Sequence, residues 1–318
     1  MNRVIDFLLR RALLLVPVLF LISVISFALI HLTPGDIAEN AMMGPDGPAD
    51  PAAVAEYRVK MGLDKPIYIQ YLVWMDKVLH GDLGFSFKTT DYVSGALFRC
   101  FMATLKLACV SMAISLAVAL PLGVAAALWK GSFIDHIARI LSLSGVAMPN
   151  FWLGYLLMIL FGVTLKLLPT SGYGDGGDLQ HMVLPAITLA AGHSAYLMRL
   201  MRSGMIEALG QDYVCAARAK GLRERAVVFR HALRNALIPV LTIAGLNLGF
   251  LLNGSVIVET VFAWPGIGNL LVSSIYTKDF PMVQGCILVI AMIYVTVNLI
   301  VDISYMLVDP RIRYGAEI

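Results

Sequence analysis

The chain has 318 residues, of which 59% are hydrophobic and only 14% charged; its net charge is +3 and its mean hydropathy +0.79. A soluble domain of this size carries about 25% charged residues, so too few polar side chains are present to coat a water-facing surface and lipid must solvate much of it. Cys100, Cys109, Cys215 and Cys286 are scattered without C-x-x-C or zinc spacing, which argues against a disulfide framework.

The first apolar run, Ala12 to Leu32, follows Arg10 and Arg11. It is too long for the apolar core of a secretion signal, and no small-residue cleavage site follows. At 1.5 Å per residue it spans roughly 31 Å, about one hydrocarbon core, and is read as an uncleaved first span. Residues 33–100 form a long connection that opens on Thr33-Pro34-Gly35-Asp36 and passes Pro45, Gly47, Pro48 and Pro51. After Pro66, the positions Ile67, Tyr71, Trp74, Met75 and Val78 recur at helical spacing. Two placements suit that helix: at the membrane surface with Tyr68, Tyr71 and Trp74 at headgroup depth, or packed on the spans.

Further apolar stretches follow at about 101–129, 138–165, 182–200, 236–261 and 282–308; the fourth is marginal and carries His193. Pro121, Pro149, Pro185 and Pro239 fall within them, which membrane helices tolerate when neighbours re-satisfy the freed backbone groups. Six spans place both termini on one side. Most of the chain's 24 Lys and Arg lie on that side: Arg3, Arg10, Arg11, Lys130, Arg139, a cluster from Arg199 to Arg234, and Arg311 and Arg313. The two short loops on the other side hold only Lys166 and Lys278. By the positive-inside rule both termini are cytoplasmic and 33–100 is extracytoplasmic. The expected fold is an all-α integral membrane protein with a five-helix core at 101–308 and a tail at 309–318.

The connection between spans four and five, 201–235, is too long and organised for a simple turn. Asp212 is a plausible helix cap, Ala216, Ala217 and Ala219 are strong helix formers, and Gly221 can end the helix in a left-handed conformation. A second helix can start at once, with Ala226, Phe229 and Leu233 along one face and Arg223, Arg230 and Arg234 elsewhere. Such an elbow suits docking into a partner's groove; the other reading is that its arginines enforce topology and bind anionic headgroups.

The Ala216-Ala217-x3-Gly221 spacing resembles the EAA loop of ABC importer permeases. Ala217-Arg-Ala-Lys-Gly-Leu222 followed by Arg230-His-Ala-Leu-Arg-Asn-Ala-Leu-Ile-Pro239 is similar to the dipeptide/oligopeptide/nickel branch. In the same order and over nearly the full length run Gly62-Leu63-Asp64-Lys65-Pro66 with Gln70-Tyr71, Gly81-Asp82-Leu83-Gly84, Pro149-x-Phe151-Trp152, Phe262-x-Trp264-Pro265-Gly266-x-Gly268 and Asp309-Pro310-Arg311-Ile312-Arg313. One departure is Cys215, where the general pattern has Glu.

The resemblance implies half of a translocation pore in the bacterial inner membrane. A homologous second permease subunit, two ATPase subunits and an extracytoplasmic substrate-binding protein would complete the importer, with peptides or nickel chelates as cargo. ATP and Mg would bind the ATPase subunits; the chain has no G-x4-G-K-[ST] loop of its own, no H-E-x-x-H or G-x-S-x-G, and needs no cofactor, metal or nucleic acid. Asp212, Ala216, Ala217, Arg218, Lys220, Gly221, Arg225 and Phe229 are expected at the ATPase contact. Asn150, His193, Asn247, Asn253 and Glu259 are candidate pathway residues, since polar groups inside spans are costly and often functional. Each also has a structural reading, as in hydrogen bonds between helices or hydration at the outer mouth. Trp264, Pro265, Gly266 and Gly268 are expected in a re-entrant outer gate, with a plain external turn as the rival. An ion-coupled transporter is the alternative function, although no internal repeat supports it.

Overall fold

The computed structural model describes residues 2–32, 35–42, 50–89, 91–252 and 256–308, with side chains placed between Leu13 and Ile300. Among these, helices dominate: α1 (Asn2–Leu32), α2 (Ile37–Met42), α3 (Pro51–Lys60), α4 (Ile67–Leu79), α5 (Val93–Leu128), α6 (Phe133–Ala147), α7 (Asn150–Thr164), α8 (Leu179–Leu209), α9 (Asp212–Ala219), α10 (Glu224–Leu252), α11 (Val256–Val261), α12 (Ile267–Tyr276) and α13 (Phe280–Val308). The described residues form no strand, only an isolated bridge between Phe85 and Tyr92. Among the described residues four stretches are long and apolar enough to cross a membrane: Leu13–Leu32, Val93–Leu128, Glu224–Leu252 and Phe280–Ile300.

The stretch read as one span over 138–165 is instead two helices. α6 and α7 meet at 108° around Met148 and Pro149; they would make a fifth crossing if counted as one broken span. The bend has a local cause. The Met148 backbone is extended, as a residue before proline prefers, and Pro149 caps α7 without an N–H to continue α6. The last two turns of α7, Met158–Thr164, are π-helical.

The chain divides into two compact units. One comprises residues up to Ala103 together with Pro265–Val295. Here Tyr71 and Trp74 of α4 pack on α1: the Phe27 ring lies 5.4 Å from Tyr71 and 5.6 Å from Trp74, and the Tyr71 hydroxyl is 2.9 Å from Ser23 Oγ. Of the two placements open for this helix, packing on a span holds for Tyr71 and Trp74, while Tyr68 faces outward. Gln70 explains part of the Gly62–Pro66 motif. Its amide donates to the carbonyls of Leu63 (3.1 Å) and Lys65 (2.7 Å), closing a turn in which Gly62 adopts φ +68°. Elsewhere in this unit Val93, Ala96 and Leu97 of α5 bury against Met282 and Cys286 of α13. The strap 81–92 is tied down by a buried carboxylate, Asp279, which accepts from the Ser86 hydroxyl and from the Phe87 N–H at 3.1 Å.

The other unit comprises Thr104–Trp264 and the residues from Thr296 on. Its centre is α8, the stretch whose sequence made it a marginal span. Small and weakly polar residues do not favour lipid, but they suit a helix enclosed by protein. Three neighbours approach α8 closely. A Cβ on Gly123 of α5 would stand 2.7 Å from Met201 Cβ and 2.9 Å from the Met198 carbonyl. A Cβ on Gly145 of α6 would stand 2.7 Å from Ala195 Cβ, and the adjacent Ser142 hydroxyl donates to the Ala195 carbonyl at 2.8 Å. On the third side, Gly204 lies against Ala236 of α10.

Candidate functional site

Within the connection expected at 201–235, a helix–Gly–helix elbow occupies a shorter stretch, since α8 continues to Leu209 and α10 starts at Glu224. α8 ends at Leu209, and after two intervening residues, Gly210 and Gln211, α9 begins with Asp212. The cap itself is Gln211, whose backbone is extended; Asp212 is the first helical residue, where its charge complements the helix dipole without a capping bond. Lys220 closes the helix, and Gly221 reverses the chain at φ +76° with nothing within 4 Å of where a Cβ would stand. The Gly221 N–H donates to the Arg218 carbonyl at 2.9 Å. Only a glycine takes that left-handed φ without steric cost, so the reversal is written into the sequence at this position.

Beyond the elbow, α10 begins at Glu224 and passes through a π-helical segment, Val227–Ala232. That segment changes which side chains turn inward. A regular 3.6-residue period puts Ala226, Phe229 and Leu233 on one face, whereas the buried residues are Val227, Val228, Ala232, Ala236 and Val240. Phe229 is therefore 60% exposed beside Arg225 and Arg230. On α9 the inward residues are Val214 and Ala217, leaving Asp212, Ala216, Arg218 and Lys220 outside. Ala217 thus packs α9 against its own chain.

The Arg218 side chain is engaged within the chain. Its guanidinium donates to both Glu224 oxygens, at 3.2 and 2.7 Å, across the elbow. The bond to Glu224 raises the Arg218 guanidinium above its ordinary range.

A second charged cluster was not apparent from the sequence. Asp135, at the start of α6, is almost completely buried. It accepts two bonds from Arg202 of α8 (2.6 and 3.0 Å) and one from the Gly131 N–H (2.9 Å), with Arg139 at 3.4 Å. The clamp fixes the end of α8 from which α9 is suspended. No periodicity links residues 67 positions apart; the only cue was an acid among basic residues in a loop.

Four of the five candidate pathway residues lie among the described residues. Asn150 is exposed at the α6–α7 bend, with its Oδ1 3.9 Å from where a Cβ on Gly192 would stand, next to half-buried His193. Asn247 is half-buried on α10, and Asn253 lies outside the described residues. Glu259 is fully buried and accepts from the Thr104 hydroxyl at 2.8 Å, so it is not hydrated at an open mouth. Trp264 is also fully buried, with the Tyr173 ring 4.7 Å away edge to face. Phe262 joins it in the interior, and its carbonyl accepts from the Gly172 N–H at 2.8 Å. In the other unit, Gly266 caps α12 and Gly268 lies in its first turn, both buried, with Pro265 half-buried. The segment read as a re-entrant loop thus continues into a ten-residue apolar helix.

Opposite Trp264 the connection 165–178 bends through left-handed glycines and ends at Asp178, the cap of α8. Asp178 accepts from the His181 N–H (3.0 Å) and pairs with its ring (2.6 Å). Lys106 of α5, a charge the sequence reading passed over, reaches the carbonyls of Gly176 (3.4 Å) and Gly177. Among the described residues no three His, Cys, Asp or Glu side chains gather as a metal site.

Comparison with known proteins follows the same outline. The family described as "Binding-protein-dependent transport system inner membrane component" matches residues 119–314, and its N-terminal counterpart matches 4–108. The chain is 40% identical over 309 residues to the glutathione transport system permease protein GsiC of Salmonella choleraesuis, covering 97% of this chain and 99% of that protein. It is 40% identical over 337 residues to the dipeptide transport system permease protein DppB of Escherichia coli K12, with the same coverage. Identity reaches 43% over 334 residues with the di/tripeptide permease DppB of Pseudomonas aeruginosa, again covering 97% and 99%. Among solved structures, the MetNI methionine ABC transporter in inward-facing conformations gives a TM-score of 0.53 at 18% identity, covering 67% of this chain and 96% of that one. An amino acid ABC transporter with histidines gives 0.50 at 19%, covering 69% and 94%. At such identities the structural likeness speaks to the fold alone.

Proposed function

Because this chain belongs to the family of binding-protein-dependent transport system inner membrane components, we propose that it forms half of the pore of an ATP-driven importer for peptides of two or three residues. Relatives named for dipeptides, di/tripeptides and glutathione, aligned along 97% of the chain, support that cargo over a nickel chelate. A homologous permease subunit completes the pore, two ATPase subunits bind ATP and Mg, and an extracytoplasmic binding protein delivers the peptide. In this reading the chain crosses six times, with α8 enclosed by its neighbours and α6–α7 as a broken span, and the basic loops put both termini and the α9–α10 elbow on the cytoplasmic side.

The observation that carries the mechanism is the elbow itself: a short helix and a left-handed glycine, with Ala216, Lys220, Arg225 and Phe229 all exposed. An exposed aromatic among cations suits a groove with an apolar floor and an acidic rim on the ATPase. Movement there reaches α8 and α10 directly along the chain, and the Asp135–Arg202 clamp passes it from α8 to α6. The ligand-dependent step then acts through contacts that differ between two pore states. Trp264 and Phe262, locked inside, serve as the anchor of the outer loop, and any gating falls to the segment that follows Pro265.

The test is peptide uptake into proteoliposomes containing the complete complex. The reading expects uptake that requires ATP inside, requires binding protein outside and persists with an uncoupler present. Uptake that follows an imposed proton or sodium gradient without ATP would establish the ion-coupled alternative instead.

A further inference from the structure

Four features of the elbow bear on how it could transmit force. Gly221 is sterically free, since no atom lies within 4 Å of where its side chain would begin. A φ of +76° fixes the direction of the reversal, but a glycine there tolerates wide excursions. Inward packing of α9 is thin, resting on Val214 and Ala217. Arg218 and Glu224 lie on opposite arms, and the guanidinium meets the carboxylate with two parallel N–H···O bonds. A fork of that kind restricts both distance and orientation, unlike a single-point lysine contact.

We propose that the Arg218–Glu224 pair is a strut that fixes the angle between α9 and α10, so that a displacement of α9 moves α10 as one lever. Both are positioning residues, and Arg218 works on its own chain instead of gripping the ATPase. The inference rests on the coupling role given to this elbow above. Without the strut, the glycine would absorb part of the ATPase stroke as bending, so ATP would be hydrolysed with less peptide moved. The pair is exposed, which makes the effect graded: removing an exposed pair changes a conformational equilibrium on the order of two- to fivefold.

The experiment uses the complete reconstituted complex with Arg218→Gln, Glu224→Gln and the exchange Arg218→Glu/Glu224→Arg. Nitroxides at Ala219 and Arg230, one on each arm, report the elbow angle as a distance distribution, with the exposed Cys109 and Cys215 replaced by serine. Peptide taken up per ATP hydrolysed is measured on the same preparations. The proposal expects both single variants to broaden the distribution and lower uptake per ATP about two- to fivefold, with the exchange recovering most of both. An unchanged distribution in both single variants overturns the strut. Loss with Arg218→Gln alone, not restored by the exchange, overturns it too and makes Arg218 an ATPase contact, leaving the coupling role intact. A broadened distribution with uptake per ATP unchanged also overturns the proposal, since the pair then sets the angle without serving transport, and it leaves the coupling role of the elbow intact.

Discussion

The crossing of α6 and α8 provides a sensitive quantitative test of the packing. Replace Gly145 by alanine, adding a single methyl group. That carbon would stand 2.7 Å from Ala195 Cβ and 3.1 Å from the Ala191 carbonyl oxygen. Carbon contacts are comfortable at about 3.5–4.0 Å, so the helices must part by about 1 Å. Neither neighbour can swing aside, since one is a Cβ and the other backbone. Overpacking of this kind costs about 1–3 kcal/mol. The same separation stretches the Ser142–Ala195 hydrogen bond, now 2.8 Å, past useful length, adding about 0.5–1.5 kcal/mol. A combined loss of about 2–4 kcal/mol lowers the apparent melting temperature by roughly 5–10 °C. The control is Gly245→Ala on α10, where nothing lies within 4 Å and alanine improves helix propensity by up to about 1 kcal/mol. Thermal unfolding of the complex in detergent, followed by size-exclusion chromatography, compares the two. If Gly145→Ala melts with the wild type, the α6–α8 contact described here is wrong.

Trp264→Ala removes a fully buried indole and its contact with Tyr173; a loss of about 3–5 kcal/mol follows, measured as a lower melting temperature and faster proteolysis of 165–178. Asp279→Ala leaves the Ser86 hydroxyl and the Phe87 N–H without their acceptor, about 1–3 kcal/mol, and the strap 81–92 becomes the first site of protease cleavage; protection equal to wild type contradicts the tie. The Asp178 carboxyl is held below the usual aspartate range, chiefly by the His181 N–H. A lowered pKa contributes stability in full above the ordinary aspartate value and loses it as pH falls through the lowered one. The α8 cap should thus persist from neutral pH to about 4, read as hydrogen-exchange protection of the first turn of α8; loss of protection already at pH 6 contradicts that order.

How much of this was legible in the sequence depends on how far apart the interacting residues lie. Gly221 announced its reversal because only a local φ had to be satisfied. The helix after Pro66 was readable from its spacing, but its placement was not, since the same aromatics suit a headgroup layer or a neighbouring helix until Phe27 and Ser23 are located. Pro149 was visible as a proline within an apolar stretch, but its spacing gives no angle, so the 108° break between two helices was not legible. The exposure of Phe229 agrees with the face read from the spacing, whereas burial of Val227, Val228 and Ala232 follows from a π-helical segment that shifts register and that no propensity marks. Asp135 with Arg202, Thr104 with Glu259 and Ser86 with Asp279 join residues 67, 155 and 193 positions apart, where periodicity carries no information.

Coupling through the elbow is tested most directly by binding-protein-stimulated ATP hydrolysis in the complete complex with Gly221→Pro. Proline holds φ near −65°, incompatible with the observed +76°, and removes the N–H that donates to the Arg218 carbonyl. Collapse of the stimulation in a complex that still assembles is the predicted result. Stimulation equal to the wild type would mean that the elbow does not couple the ATPase to the pore.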